Sequence, residues 1–350
     1  MHALYSASSI MISMKIAYVA PYEGEKKIVM ETLGNHEVVF VDAPVRTEVP
    51  EELRDADALS VFVDSAVTVE MIDSMPNLKC IALRSTGFDH VACEYAQSKG
   101  ITVSYVPHYG SQTVAEYTFA LILALSRKAF AAYDELRTDG GRDVKKYEGF
   151  DLKGKTLGVI GTGAIGRHVC TIAKGFGMNV VAYDLYPDGP FARDNDVSYV
   201  SFDEVMAQSD IVTLHVPSSK DNYHMINKES LALSKKGIYV INTARGDLVD
   251  TVALTQALQD GHVTGAGLDV YEGEQYITDE MELLTRDEDI GKDVWKAFAA
   301  EHVLLDMPNV IVTPHVAFNS IEAKREITQT TTANILKAFT KEPQFEVNKK

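Results

Sequence analysis

Residues 156–166 read Thr156-Leu157-Gly158-Val159-Ile160-Gly161-Thr162-Gly163-Ala164-Ile165-Gly166. A short apolar run enters a G-x-G-x-x-G, and Arg167 to Gly175 continues as a helix. Such a turn is a weak signal by itself. Here it joins a strand to a helix, and the next strand, Val180-Val181-Ala182-Tyr183, ends at Asp184. Asp184 follows the loop near the ~20-residue spacing at which a carboxylate meets the adenosine ribose in dinucleotide folds. Each glycine has a physical reason. Gly161 permits the tight turn, Gly163 lets backbone N–H groups of the loop (with Ala164 and Ile165) approach a pyrophosphate, and Gly166 lets helix and strand pack closely. The helix N-terminus adds partial positive charge. Asp184 accepts from ribose hydroxyls and repels a 2′-phosphate, and Leu185 and Tyr186 offer that phosphate no cation. The loop therefore favours NAD over NADP.

Working outward, apolar runs continue at Ile211 to His215, Ile238 to Ile241, Ala266 to Leu268 and Val310 to Val312. Ser201 with Glu204 forms a capping box, and Asp250 caps a helix from Thr251. An earlier series runs Lys15 to Val19, Glu37 to Val41, Leu59 to Val63, Cys80 to Leu83 and Val103 to Val106. Strands alternating with helix-length stretches mean βαβ units. Two such series, separated by an apolar helix near Thr113 to Lys128, give two α/β domains with doubly wound parallel sheets. A charged insertion spans 275–307, and a helix over Ala323 to Thr340 precedes a polar terminus.

The chain has 350 residues, with 33 Lys and Arg against 50 Asp and Glu, a net charge of −17. That surface repels nucleic acid and anionic membranes. No apolar run approaches the ~18 residues of a membrane span. Three cysteines, Cys80, Cys93 and Cys170, are too few for a disulfide framework or a thiolate metal site; they fit buried thiols in a reducing cytoplasm, with no metal. Residues 1–14 make a poor secretory signal and read as an extension, with Met14 as an alternative start.

In open parallel sheets ligands bind beyond the carboxyl ends of the strands. There the second series places Asp184, then His215-Val216-Pro217, then Thr243-Ala244-Arg245-Gly246, then Asp269 with Glu272 and Glu274 beyond it, and finally Pro314-His315. An arginine fork holds a carboxylate and polarises the carbonyl beside it. A histidine protonates the oxygen as hydride arrives at carbon. A nearby carboxylate raises that histidine's pKa and fixes its ring. The set suits hydride transfer to a 2-oxo acid.

With these residues in hand, the chain resembles the D-isomer-specific 2-hydroxyacid dehydrogenases from about Lys15 to the C-terminal helix. The resemblance rests on Leu83-Arg84-Ser85-Thr86-Gly87-Phe88-Asp89, Val114-Ala115-Glu116, the phosphate loop, Asn242 to Gly246, Leu268 to Glu274 and Thr313-Pro314-His315. It implies catalytic Arg245, His315 and Glu274, the last with Glu272 as rival. It implies that Asp269 meets the nicotinamide carboxamide or holds the site in register, with Val216, Pro217, Thr243 and Ala244 also lining the cofactor. The amides of Ser85, Thr86 and Gly87 would bind the substrate carboxylate. Val106-Pro107-His108-Tyr109 and His315-Val316-Ala317-Phe318 are similar to the D-lactate dehydrogenase branch, with Tyr109 beside the substrate and Phe318 walling a small pocket. The expected reaction is pyruvate to D-lactate with NADH. Gly110 to Thr113, Asn319-Ser320 and the insertion depart from that branch and leave open another 2-hydroxy acid, of the 2-hydroxyisocaproate, phenyllactate, glyoxylate or hydroxypyruvate type. An NAD-sensing, protein-binding corepressor is a remoter alternative. The resemblance implies a Rossmann NAD-binding domain, 110–317, inserted in a flavodoxin-like substrate domain, 15–109 with 318–350. It also implies a homodimer, for which the apolar helix near Thr113 to Lys128 is either interface or core.

Overall fold

The computed structural model describes residues 13–138, 140–141, 143–272, 292–340 and 342–347. The chain divides into two compact units, residues 1–109 with 320–350, and residues 110–319. Phe318 and Asn319 thus belong to the second unit, whereas the sequence reading returned the chain to the first unit at Phe318. Of the expected insertion, 275–291 lies outside the described residues.

The first unit runs β1 (Lys15–Val19), α1 (Glu25–Leu33), β2 (Glu37–Val41), β3 (Ala58–Val61), α2 (Val69–Asp73), β4 (Cys80–Leu83), α3 (Cys93–Ser98) and β5 (Thr102–Ser104). Its sheet is parallel in the order β2-β1-β3-β4-β5, the flavodoxin-like winding. Helices cover both faces, so the strands are mostly apolar. Ile16, Tyr18, Ala58, Cys80 and Ala82 pack toward α1 and Ile335 of the C-terminal helix (Ile321–Phe339). Ala17, Leu59, Val61, Ile81, Leu83 and Val103 pack on the other side with Met71, Ile72 and Ala96. Met14 is buried in this core and its carbonyl accepts from the Glu37 N–H at 2.9 Å. Met14, the last residue of the stretch read as an extension, is therefore part of this core.

The second unit opens with α4 (Ser111–Ser126) and α5 (Ala129–Thr138). It continues β6 (Thr156–Ile160), α6 (Ala164–Gly175), β7 (Asn179–Tyr183), α7 (Gly189–Asn195), β8 (Val197–Tyr199), α8 (Phe202–Gln208) and β9 (Ile211–Leu214). Then come α9 (Lys228–Leu233), β10 (Ile238–Asn242), α10 (Thr251–Gln259), β11 (Val263–Leu268), α11 (Lys292–Leu305) and β12 (Val310–Val312). All seven strands are parallel, in the order β12-β11-β10-β9-β6-β7-β8. Winding reverses beside β6, the switch point where α/β sheets bind ligands. The capping box of Ser201 and Glu204 is present, and Asp250 caps α10. α4 is a core element, with Phe119 stacked on Phe176 at 5.3 Å. All three cysteines are free and buried; burial pushes the thiols of Cys80 and Cys170 up to about 12 and that of Cys93 to about 11.

Candidate functional site

The G-x-G-x-x-G forms the β6–α6 turn. Gly161 has φ +92°, and a Cβ there would lie 2.6 Å from both the His215 carbonyl oxygen and Val216 Cγ1. Positive φ and close approach both require glycine. A Cβ on Gly166 would stand 1.9 Å from the Gly161 carbonyl oxygen, so α6 rests directly on the turn. Gly163 faces open space, and no side chain caps α6. The first N–H groups of α6, at Ala164, Ile165 and Gly166, are left for an anion. This cradle fits the pyrophosphate of a dinucleotide.

Asp184 follows β7. Its Oδ2 accepts from the Thr162 N–H at 2.6 Å and the Thr162 hydroxyl at 2.8 Å, and its Oδ1 accepts from the Tyr186 N–H at 2.9 Å. Burial would raise its pKa, but those donors and the Arg167 charge outweigh burial and hold it below the usual carboxylate range. A carboxylate offers about four acceptor positions. Three are taken, so Asp184 has one left, on Oδ1, rather than a free pair for both ribose hydroxyls.

Three neighbouring strands deliver the reactive side chains. After β10, the Asn242 side chain closes a turn, accepting from the Ala244 N–H at 3.0 Å and donating to the Arg245 carbonyl at 2.7 Å. Thr243 is pinned from behind by Thr118 of α4, hydroxyl to hydroxyl at 3.0 Å. The half-buried Arg245 donates from Nη1 to the Ala244 carbonyl at 2.7 Å. A Cβ on Gly246 would fall 2.2 Å from the Tyr271 carbonyl atoms, so this turn is pressed against the exit of β11.

Asp269, only 1% exposed, follows β11. Its Oδ1 accepts from the Thr313 hydroxyl at 2.6 Å and the Val316 N–H at 2.9 Å, and its Oδ2 accepts from the Ala317 N–H at 2.8 Å. Its carbonyl takes the His315 N–H at 2.9 Å. His315 has φ +53°, a strained left-handed conformation for a non-glycine residue. Asp269 thus grips the backbone on both sides of the strained histidine. Phe318 packs beside Gly110 in the same unit. Glu274 lies outside the described residues. Glu272 is held by His224, Nε2 to Oε1 at 2.9 Å, and by the Tyr223 hydroxyl at 3.1 Å.

His215 is a different kind of histidine. Its Nδ1 is buried, Nε2 meets the Thr213 hydroxyl at 3.0 Å, and burial pushes its pKa down to about 3. It stays neutral and its backbone packs on Gly161, while Val216 beside it lines the loop and Pro217 is exposed.

In the first unit, the loop after β4 is tied by Ser85 Oγ to the Gly87 carbonyl at 2.6 Å and by Thr86 Oγ1 to the Val106 carbonyl at 2.8 Å. The N–H groups of Ser85, Thr86 and Gly87 meet no acceptor among the described residues, a cluster suited to an anion. Arg84, fully buried just before it, pairs with Glu25 at 3.0 Å and donates to the carbonyls of Val19 and Ala20. Tyr109 is half-buried, within electrostatic reach of Tyr22.

Sequence reading missed Arg84 with Glu25, Thr118, Thr313, and the Tyr223–His224 pair. Arg84 and Thr313 stood inside quoted motifs; the others carry no local signal.

Residues 119–317 match the family described as D-isomer specific 2-hydroxyacid dehydrogenase, NAD binding domain. The chain belongs to the D-isomer-specific 2-hydroxyacid dehydrogenases. Members of this family are NAD-dependent oxidoreductases, and NAD is the cofactor that the phosphate loop fits. A 2-hydroxyacid dehydrogenase homolog of Schizosaccharomyces pombe is 37% identical over 327 residues, covering 92% of this chain and 95% of its own. A glyoxylate reductase of Thermococcus litoralis is 34% identical and covers 85% of each chain. The structure of an Aquifex aeolicus D-lactate dehydrogenase, complexed with NAD and lactic acid, matches with TM-score 0.81 and 36% identity over 93% of this chain and 95% of that one. The dehydrogenase therefore acts on a small 2-hydroxy acid. No helix among the described residues is long and apolar enough to cross a membrane.

Proposed function

We propose that this dehydrogenase reduces pyruvate to D-lactate. The observation that carries this is the alignment of Arg245, Asp269 and His315 at the ends of adjacent strands β10, β11 and β12, with His315 held in a strained backbone by Asp269. When bound, NADH supplies the hydride. Arg245 holds the carboxylate and polarises the 2-oxo group. Protonated His315 gives its proton to the carbonyl oxygen as hydride reaches C2, yielding the alcohol. Glu274 is assigned the carboxylate that steadies the imidazolium. The Ser85–Gly87 amides are assigned to the substrate carboxylate and Tyr109 to the substrate; Phe318 is assigned as an apolar wall that favours a methyl group. Thr243, Ala244, Val216 and Pro217 are assigned to the cofactor. The Aquifex likeness supports lactate, and the glyoxylate reductase likeness makes glyoxylate the chief competitor.

A homodimer and a cytoplasmic setting complete the reading. For the dimer face we favour α5, whose Phe130, Tyr133 and Leu136 form an exposed stripe at helical spacing, since α4 is core. Reduced, buried cysteines suit the cytoplasm. The test is an initial-rate panel with NADH and pyruvate, glyoxylate, hydroxypyruvate, phenylpyruvate and 2-oxoisocaproate. Pyruvate should give the highest kcat/KM; a tenfold lead for any other substrate overturns the assignment.

A further inference from the structure

Behind Asp184 stands a chain of hydroxyl groups. A threonine hydroxyl has one proton to give. Thr162 Oγ1 lies 2.8 Å from Asp184 Oδ2, and an ionised carboxylate only accepts, so the Thr162 proton goes there. The contact from Thr162 Oγ1 to the Tyr199 hydroxyl, 2.7 Å, must then run from Tyr199. The order is Tyr199 O–H to Thr162 O–H to Asp184 Oδ2. Together with the Thr162 N–H, this fills both acceptor positions of Oδ2 and turns the remaining one, on Oδ1, into the carboxylate's only opening.

Tyr199 closes β8, the edge strand of the sheet, and its ring packs against the core under β7. The charged neighbour on this side, Arg167 of α6, is already engaged. Its Nε donates to the Thr162 carbonyl at 3.1 Å, and its Nη2 pairs with Asp188 at 2.7 Å. A cation that could receive a 2′-phosphate is thus tied to a carboxylate, while the carboxylate that repels one is fixed from behind.

We propose that Tyr199 is a positioning residue for cofactor choice: acting through Thr162, it fixes Asp184 as acceptor for a ribose hydroxyl and so sharpens the preference for NADH over NADPH. The proposal rests on Asp184 being the ribose carboxylate. The experiment is fluorescence titration of NADH and of NADPH onto the wild-type protein, Tyr199→Phe, Thr162→Val, Thr162→Ser, the Tyr199→Phe/Thr162→Val double variant and Asp184→Ala. Tyr199→Phe should weaken NADH about 3- to 10-fold, the worth of one hydrogen bond, and leave NADPH within twofold. Thr162→Val should do the same, and the double variant no more than Thr162→Val alone, since the two act in series. Thr162→Ser keeps the hydroxyl and should keep the ratio. Equal weakening of both cofactors, no weakening, or additive losses in the double variant overturn the proposal. An unchanged ratio in Asp184→Ala overturns instead the reading on which it rests.

Discussion

Replacing Asp269 by asparagine keeps the shape of the side chain and removes one acceptor oxygen. Three donors converge on the carboxylate in a site that is 1% exposed: Thr313 Oγ1 and Val316 N–H on one oxygen, Ala317 N–H on the other. An amide must turn its NH2 toward one set. The cheaper orientation sacrifices the Ala317 bond and leaves that buried N–H facing another donor. Bonds to a charged group contribute roughly 1.5–3 kcal/mol, and a stranded buried donor costs about 1–3 kcal/mol. The terms overlap, so the expected loss is about 2–4 kcal/mol, concentrated on the backbone around His315. A displacement of about 1 Å at a catalytic group costs on the order of 100-fold in rate. Urea unfolding, kcat with pyruvate and NADH affinity should be measured on the same preparation. The expected result is a lower unfolding midpoint and a kcat reduced ~100-fold, with NADH affinity within about threefold. If instead NADH affinity falls as far as kcat and stability is unchanged, Asp269 serves the carboxamide and the register argument is refuted.

The buried pair in the first unit makes a second prediction. Arg84 and Glu25 have side chains 0% and 2% exposed, and Glu25 also takes the Tyr18 and Thr328 hydroxyls. Arg84→Met should cost about 3–5 kcal/mol by stranding the carboxylate, and adding Glu25→Gln should recover part of it; equal unfolding midpoints for wild type and Arg84→Met in urea would contradict the pairing. His215 makes a third. Its folded pKa, about 3, lies below the ordinary 6.5, so the unfolded chain binds an extra proton between those values. Its contribution is complete above about pH 6.5 and is lost as pH falls toward 3. Between pH 4 and 6, unfolding free energy should fall by about 1.4 kcal/mol more per pH unit in wild type than in His215→Gln; identical slopes would show that this ring is solvated.

The parallel sheets were legible because strands covered on both faces are apolar throughout, and because Gly161 to Gly166 sits between such a strand and a helix. β8 was not, since its three residues alternate around an exposed Ser198 and carry no run. At the site, sequence order exposed Arg245, Asp269 and His315, as each ends a recognisable strand. Which groups grip Asp269 was hidden, because its partners Thr313, Val316 and Ala317 are brought to it by the register of β11 against β12. The role of Gly246 was hidden likewise: its reason is the backbone of Tyr271, distant in sequence and touching in space. The two histidines looked alike as strand-end residues. They differ in that the Nδ1 of His215 is shut away from solvent, while His315 is held in a left-handed backbone.

We propose that this chain uses His315 to make D-lactate from pyruvate. The most direct measurement is the chirality of lactate formed from pyruvate and NADH by the wild-type protein, with the rate compared in His315→Ala. D-lactate is expected, formed at least ~100-fold more slowly by the variant, the scale of a lost general acid. L-lactate, or a variant with wild-type turnover, would contradict it.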